Sequence, residues 1–291
     1  MQDYSRLHHK SDSREVTLSL GWFLILGLIT IIGLDLMPYV VAQAKVEKDV
    51  PSENYTTLVT DSHYVYALTN RGVALYNLGN YTGAVLYYDK ALAIDPHDYK
   101  ALTGKGLALD DLGNHTGAVL YYDKALAIDP HYVYALTGKG TALGRLGNYT
   151  GAILYYDNAL AIDPDHDNAL TGKGTALDRL GNYTGAVLYY DKALAIDPKN
   201  VLVLTDKGLA LDDLGNHTGA ILYYDKALAT NPHDVYALTD KGSALDRLGN
   251  HTGAILYYDK ALATNPHDVG VLTGKGLDLD HLGNHTGAVL Y

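Results

Sequence analysis

Residues 79–96 read "GNYTGAVLYYDKALAIDP", and residues 181–198 repeat that stretch letter for letter. Near copies follow along the chain, and their prolines keep a constant spacing of 34 residues, at Pro96, Pro130, Pro164, Pro198, Pro232 and Pro266. A fixed period in this range predicts a solenoid of stacked supersecondary units. With the proline numbered as place 32 of each unit, repeats begin at residues 65, 99, 133, 167, 201, 235 and 269.

Each unit contains two apolar trios with the helical spacing i, i+4, i+7, which puts each trio on one helix face. In the first unit the trios are Leu68, Gly72, Leu75 and Ala84, Tyr88, Ala91. Gly79 and Asn80 predict the end of the first helix, because both tolerate the left-handed conformation just past a C-cap. Thr82 is the expected N-cap of the second helix, and Pro96 ends it. The sequence therefore predicts a helix–turn–helix hairpin in each unit.

Particular places of the repeat hold the same residue type throughout. Place 4 is leucine from Leu68 to Leu272, place 8 is glycine from Gly72 to Gly276, and places 20, 24 and 27 are alanine, tyrosine and alanine in each complete unit. This pattern resembles the tetratricopeptide repeat family. The resemblance covers residues 65–291 and implies an all-α, right-handed superhelical solenoid with repeats 65–98, 99–132, 133–166, 167–200, 201–234, 235–268 and a partial repeat 269–291.

An apolar segment precedes the repeats. Residues 16–34 contain no charged side chain and would reach roughly 28 Å as a helix, close to the roughly 30 Å of a bilayer core. We expect a polar tail (1–15), a transmembrane or signal-anchor segment (16–44) and a linker (45–64). The alternatives are an export signal cleaved near Ala44, which would give a secreted protein, and a buried core helix. Arg6, Lys10 and Arg14 against Lys45 and Lys48 weakly favour extracytoplasmic repeats on a single-pass membrane protein.

Composition and motifs exclude several function classes. A formal net charge of −11 argues against nucleic acid as the main partner, and the absence of cysteine excludes thiolate chemistry. No catalytic constellation or cofactor motif stands out, so we expect neither an enzyme nor a cofactor. Most of the histidines occupy two repeat places whose equivalents in stacked units lie too far apart to share an ion, and no metal site is expected. The recurring Asp-Lys pairs, such as Asp89-Lys90, are interpreted as a solvated helix face.

The resemblance implies that the first helix of each repeat lines a concave groove, where places 2, 5, 9, 12 and 13 contact a partner. The candidate contact residues among them are Tyr66, Thr69, Thr103, Asp110, Asp111, Tyr134, Thr137, Thr171, Asp178, Arg179, Thr205, Asp212, Asp213, Tyr236, Thr239, Asp246 and Arg247. The Lys, Asn and Arg set with which one subgroup of the family grips a peptide carboxylate is missing. A threonine-lined, acidic groove predicts a basic or hydroxyl-rich extended protein segment as partner. The alternative is that these residues only solubilise the inner face.

These observations favour a membrane-tethered, extracytoplasmic protein-interaction scaffold. Three alternatives remain: the same scaffold facing the cytoplasm, an enzyme whose catalytic domain lies on a partner, and a glycosylated surface component. The last repeat stops within its second helix, and self-association through it is a further expectation.

Eight Asn-X-Thr triplets are candidate glycosylation sites, at Asn54, Asn80, Asn114, Asn148, Asn182, Asn216, Asn250 and Asn284. Seven of them fall in the turn of a repeat, where copying and turn chemistry explain the letters without any sugar. Asn54 lies in the linker, outside the repeat register.

Overall fold

The computed structural model describes residues 62–290, and over that range the chain is built from α-helices without strands. The helices are α1 Ser62–Asn77, α2 Tyr81–Ile94, α3 Tyr99–Asp111, α4 His115–Ile128, α5 Val133–Arg145, α6 Tyr149–Ile162, α7 Asp167–Arg179, α8 Tyr183–Ile196, α9 Val201–Asp213, α10 His217–Thr230, α11 Val235–Arg247, α12 His251–Thr264, α13 Val269–His281 and α14 His285–Ala288. The predicted tail (1–15), apolar segment (16–44), all but the end of the linker, and Asn54 lie outside the described residues. Between residues 62 and 290, no helix is long and apolar enough to cross a membrane.

Consecutive helices pair as antiparallel hairpins, and the hairpins stack. Each odd-numbered helix packs against the even-numbered helices before and after it, and successive odd-numbered helices also touch one another directly. The core consists of small alanines around one large tyrosine per hairpin, such as Ala118, Tyr122 and Ala125 in α4, which are all fully buried. The predicted all-α hairpin array is confirmed over the described residues.

The buried tyrosine explains why glycines interrupt the odd-numbered helices. A Cβ added to Gly106 would lie 2.8 Å from the Tyr122 ring, and a Cβ added to Gly138 of the next repeat would lie 2.6 Å from the same ring. The ring is therefore held between two glycine backbones, one at place 8 and one at place 6. This close approach offsets the helix-propensity cost of about 1 kcal/mol that each interior glycine carries.

The turns between paired helices follow one pattern. Gly79 has φ +74, as the sequence predicts for a residue just past a helix end. The expected N-cap, Thr82, is wrong: the Asn80 side chain accepts the backbone N–H of Gly83 at 2.9 Å, so Asn80 caps α2 and Thr82 is an exposed residue of its first turn. Asparagine wins because its side-chain oxygen reaches the N3 amide from outside the helix. The other six turns are capped in the same way.

A lysine at place 7 joins each hairpin to the one before it. Lys139 Nζ contacts Asp123 of the preceding repeat, donates to Tyr155 Oη at 2.5 Å and lies 4.0 Å from the centre of that ring. Burial alone would lower the pKa of Lys139, but the hydrogen bonds to Asp123 and Tyr155 outweigh it and raise the pKa. The equivalent Asp89 contacts Lys105, so the Asp-Lys pairs do more than form a solvated face: their half-exposed aspartates bind across the stack.

Candidate functional site

The odd-numbered helices line the surface on which the sequence places partner binding. At place 2, Tyr66, Tyr134 and Tyr236 are 64%, 61% and 77% exposed, so their rings are open to a ligand. The Tyr134 ring also packs edge-on against His166, with the ring centres 5.7 Å apart. These three tyrosines are therefore accessible members of the predicted contact set.

The threonines at place 5 lie deeper than a contact surface requires. Four of them are buried, namely Thr69, Thr103, Thr137 and Thr205, while Thr171 and Thr239 are half-buried. Some of their hydroxyls bond within the fold: that of Thr103 donates to the Tyr99 carbonyl at 2.8 Å, and that of Thr69 donates to Asp98 at 2.9 Å. The hydroxyl oxygens of Thr137 and Thr171 are buried with no hydrogen-bond partner among residues 62–290. A threonine-lined recognition surface is therefore available only where the side chain is part-exposed.

Two of the predicted acidic residues are already neutralised within the fold. Asp110 is 4% exposed, accepts from Arg145 Nη1 at 2.8 Å, and lies 2.6 Å from His115 Nδ1. Asp212 has the same two partners in its own repeats, Arg247 and His217. Because each carboxylate has a guanidinium and an imidazole, neither adds unpaired charge to the surface. His115 and His217 are half-buried, and each binds the aspartate at place 12 of its own repeat.

A second set of acids lies between α7 and α11, where Arg179 and Arg247 oppose the rise in the pKa values of these acids without reversing it. Burial raises the pKa of Asp206 to about 6, and the nearby Asp178 adds to the shift while Arg179 opposes it. Burial likewise raises the pKa of Asp240 to about 6, with further contributions from Asp212 and Asp206.

Asp178 belongs to the same set. Burial and the charge of Asp213 raise its pKa, and its Oδ1 is buried without a hydrogen-bond partner among residues 62–290. Asp178, Asp206, Asp213 and Asp240 are called here the acidic surface, in which burial and neighbouring carboxylates raise the pKa values of Asp178, Asp206 and Asp240.

Another cluster lies at the last full-length hairpin contact. Asp246, His251, Asp278 and His281, from α11, α12 and α13, each offer one oxygen or nitrogen, and these atoms lie within 4.8 Å of one another. His251 Nδ1 is 2.7 Å from Asp278 Oδ1 and 3.0 Å from Asp246 Oδ1. The hydrogen bond to Asp278 raises the pKa of His251, while desolvation opposes the shift. The group consists of residue types that bind divalent metal ions.

Asp206, Asp240 and Asp278 were not predicted as functional residues, because the prediction relied on residue types that recur from repeat to repeat. The signal that identifies them is a residue that differs from the one found at the same place in the other repeats. Place 6 is glycine at Gly104, Gly138, Gly172 and Gly274, and place 10 is alanine in each of the first six repeats. A charged side chain at a place that copies as glycine or alanine marks a local function better than a recurrent residue does.

Known proteins share this arrangement of repeated helical hairpins. A tetratricopeptide repeat family model matches residues 56–99, 69–133, 137–201 and 205–269. The chain belongs to the tetratricopeptide repeat family. That assignment agrees with the resemblance read from the repeat places, and the 14 helices found between residues 62 and 290 are the expected hairpins of this fold. A comparison with curated protein sequences finds no match.

Solved tetratricopeptide repeat structures share the architecture. PilW, described as a type IV pilus biogenesis factor, is 22% identical with a TM-score of 0.68, over 73% of this chain and 99% of its own. PilF of Pseudomonas aeruginosa is 20% identical with a TM-score of 0.64, over 71% and 94%. YrrB, described as having an unusual peptide-binding site, is 21% identical with a TM-score of 0.55, over 65% and 97%. At these identities the likeness establishes the fold alone.

Proposed function

We propose that this tetratricopeptide repeat chain is a non-enzymatic scaffold that binds a basic, extended segment of a protein partner along its odd-numbered helices. The observation that carries the proposal is the acidic surface. Burial and mutual repulsion of its carboxylates raise the pKa values of Asp206 and Asp240 to about 6, so at neutral pH the surface is charged at a free-energy cost. A lysine or arginine side chain from a partner would relieve that cost.

The neighbouring side chains fit an extended ligand. Tyr236 stands 77% exposed at the start of α11, and Leu202 is 63% exposed at the same place of α9. An aromatic and an aliphatic side chain beside four carboxylates offer apolar contact and cation–π contact to the stems and heads of basic residues. The peptide-binding site named for YrrB shows that one member of this fold binds peptides.

Peptide binding to the full-length chain tests the proposal. Basic and acidic pools of extended peptides are titrated into the wild type and into a double variant with Asp206→Asn and Asp240→Asn. We expect the wild type to prefer the basic pool, and the double variant to bind it about tenfold more weakly, because two desolvated charge contacts are lost. Affinity for the basic pool should also fall as the pH drops through 6, where these carboxyl groups take up protons.

A matched control removes the same charge elsewhere. The double variant Asp163→Asn with Asp197→Asn changes place 31 of two repeats to asparagine. Asparagine is the residue that later repeats have at this place, as Asn231 and Asn265. This control should bind the basic pool like the wild type. Equal binding of both pools by the wild type, or equal loss in the two double variants, would contradict the proposal and favour a merely solubilising inner face.

The location of the scaffold is a separate part of the proposal. Residues 16–34 support a membrane anchor, and the basic residues before them support extracytoplasmic repeats. Protease treatment of intact cells tests this: digestion of the repeats from outside is expected, and full protection would favour the cytoplasm-facing alternative. Cleavage near Ala44, sugar on the eight acceptor asparagines and self-association through the last repeat stay predictions, and the intact mass of the native protein reports the first two.

A further inference from the structure

We propose that Asp246, His251, Asp278 and His281 form a binding site for one divalent transition-metal ion of the Zn²⁺ class. The four residues come from three helices of the last two repeats, and their candidate ligand atoms lie within 4.8 Å of one another. The site is distinct from the acidic surface, and nothing in the proposed peptide binding requires it.

Asp278 is the residue that the fold alone does not explain. It is fully buried, and its Oδ2 has no hydrogen-bond partner among the described residues. The six earlier repeats carry alanine at this place, as Ala142 and Ala244 show. An unpartnered oxygen on a buried carboxylate is unfavourable, because no hydrogen bond replaces the hydration it has lost, so such a group is expected to have a cation beside it.

The surrounding side chains lack the cation that equivalent contacts have. At the Asp110–His115 and Asp212–His217 pairs, the next repeat supplies Arg145 or Arg247 at place 13. At the Asp246–His251 pair, place 13 is His281, and its ring centre lies 4.6 Å from that of His251. Compared with the two earlier pairs, the Asp246–His251 pair therefore lacks a guanidinium beside it and has an additional carboxylate, Asp278, and an additional imidazole, His281.

Charge balance indicates what replaces the guanidinium. Asp246 Oδ1 and Asp278 Oδ1 both approach the same His251 nitrogen, at 3.0 and 2.7 Å, so one N–H faces two acceptors. An ion in place of that proton would contact both carboxylates and neutralise their two charges. A divalent ion would thus do for this contact what Arg145 and Arg247 do for the others.

The donor set selects the class of ion. Two imidazole nitrogens and two carboxylate oxygens suit four-coordinate Zn²⁺, with bonds of about 2.0–2.2 Å, and also suit Co²⁺ as a spectroscopic substitute. Ca²⁺ and Mg²⁺ prefer sites made of oxygen ligands alone. Bound at this point, the ion would join α13 to the hairpin of α11 and α12.

Metal titration of the full-length chain tests the site. After chelator treatment, Zn²⁺ is titrated calorimetrically and Co²⁺ by its visible absorption. We expect one ion per chain at this site and the absorption of a four-coordinate nitrogen–oxygen site. Asp278→Ala, which restores the alanine of the other repeats, should weaken binding about 100-fold, because a buried ligand is lost. Circular dichroism confirms that the variant folds.

Two further variants keep the result decisive. His281→Arg supplies the guanidinium found at Arg145 and Arg247, and it should abolish binding without loss of structure. His217→Ala removes an imidazole from the same repeat place in another hairpin, and it should leave the affinity unchanged. Absence of Zn²⁺ uptake by the wild type, or uptake as tight in Asp278→Ala and His281→Arg as in the wild type, would overturn the proposal.

Discussion

Two parts of the array share a backbone and differ in charge. In the stretch from α3 to α6, place 6 is Gly104 and Gly138; in the stretch from α9 to α12, it is Asp206 and Asp240. Both stretches contain the same buried pair, Asp110 with Arg145 in the first and Asp212 with Arg247 in the second. The added carboxylates of the second stretch are thus not needed for stacking. Charged side chains that do not stabilise the fold are the best candidates for binding a partner.

The largest expected effect comes from removing the arginine in each stretch. Arg145→Met leaves the buried Asp110 with His115 as its remaining ion-pair partner among the described residues. Arg247→Met likewise leaves Asp212 with a histidine alone, and it also removes a group that lowers the pKa of Asp240. Denaturant unfolding should show a loss of about 3 kcal/mol for Arg145→Met, at the low end of the range for broken buried pairs because the Arg145 side chain is 43% exposed.

The loss should be larger for Arg247→Met. The double variants Asp110→Asn with Arg145→Met, and Asp212→Asn with Arg247→Met, should recover part of the stability, since no uncompensated charge remains buried. An equal loss of stability in the two stretches would mean that Arg247 does not act on Asp240, and the comparison would fail.

Removing the extra acids should have the opposite sign. The folded-state pKa values of Asp206 and Asp240, at about 6, lie above the ordinary value of 3.8, so the folded state binds more protons between pH 4 and 6. Stability therefore falls as the pH rises through that window. Asp206→Asn with Asp240→Asn should be more stable than the wild type by on the order of 2 kcal/mol at pH 7.

The gap between that double variant and the wild type should close below pH 4, where both carboxyl groups are protonated in the folded and unfolded chains. The melting temperature measured from pH 4 to 8 gives the profile directly. The control Asp163→Asn with Asp197→Asn should show no such pH-dependent gain. A double variant less stable than the wild type at pH 7 would show that these acids stabilise the array.

Glycine at place 6 sharpens the same comparison through packing. A Cβ at Gly138 would lie 2.6 Å from the Tyr122 ring, whereas a Cβ at Gly144 of the same helix would lie 3.9 Å from Ala152 Cβ. Gly138→Ala should destabilise by about 2 kcal/mol through overpacking, and Gly144→Ala should stabilise by up to about 1 kcal/mol through helix propensity. Chemical denaturation of both variants checks the difference. Equal effects would mean that the Tyr122 ring moves aside freely.

The sequence predicted the hairpins because their determinants are local and copied. The spacing of leucine, glycine and alanine sets the helix faces, and Gly79 and Pro96 mark helix ends by their backbone chemistry. The site was harder to predict. Whether an aspartate is protonated, forms an ion pair or lacks a cationic partner depends on the side chain 35 residues later, as for Asp110 and Arg145. The N-cap was misassigned because Asn80 and Thr82 both suit a helix start, and only the three-dimensional path of the turn decides between them.

The smallest expected effect lies in the turns, where the two stretches do not differ. Asn148 accepts the Gly151 amide at 2.9 Å, and Asn216 accepts the Gly219 amide at 3.0 Å. Asn148→Ala and Asn216→Ala should each cost about 1 kcal/mol, the usual contribution of an N-cap. Thr150→Ala should cost much less, because Thr150 is exposed and caps nothing. All three variants destroy an acceptor triplet. In protein made without glycosylation, the difference in unfolding free energy between Asn148→Ala and Thr150→Ala therefore measures the contribution of the cap. Any further loss of stability that both variants show in protein from the native host measures the contribution of the sugar. A Thr150→Ala variant as unstable as Asn148→Ala in unglycosylated protein would contradict the assignment of asparagine as the cap.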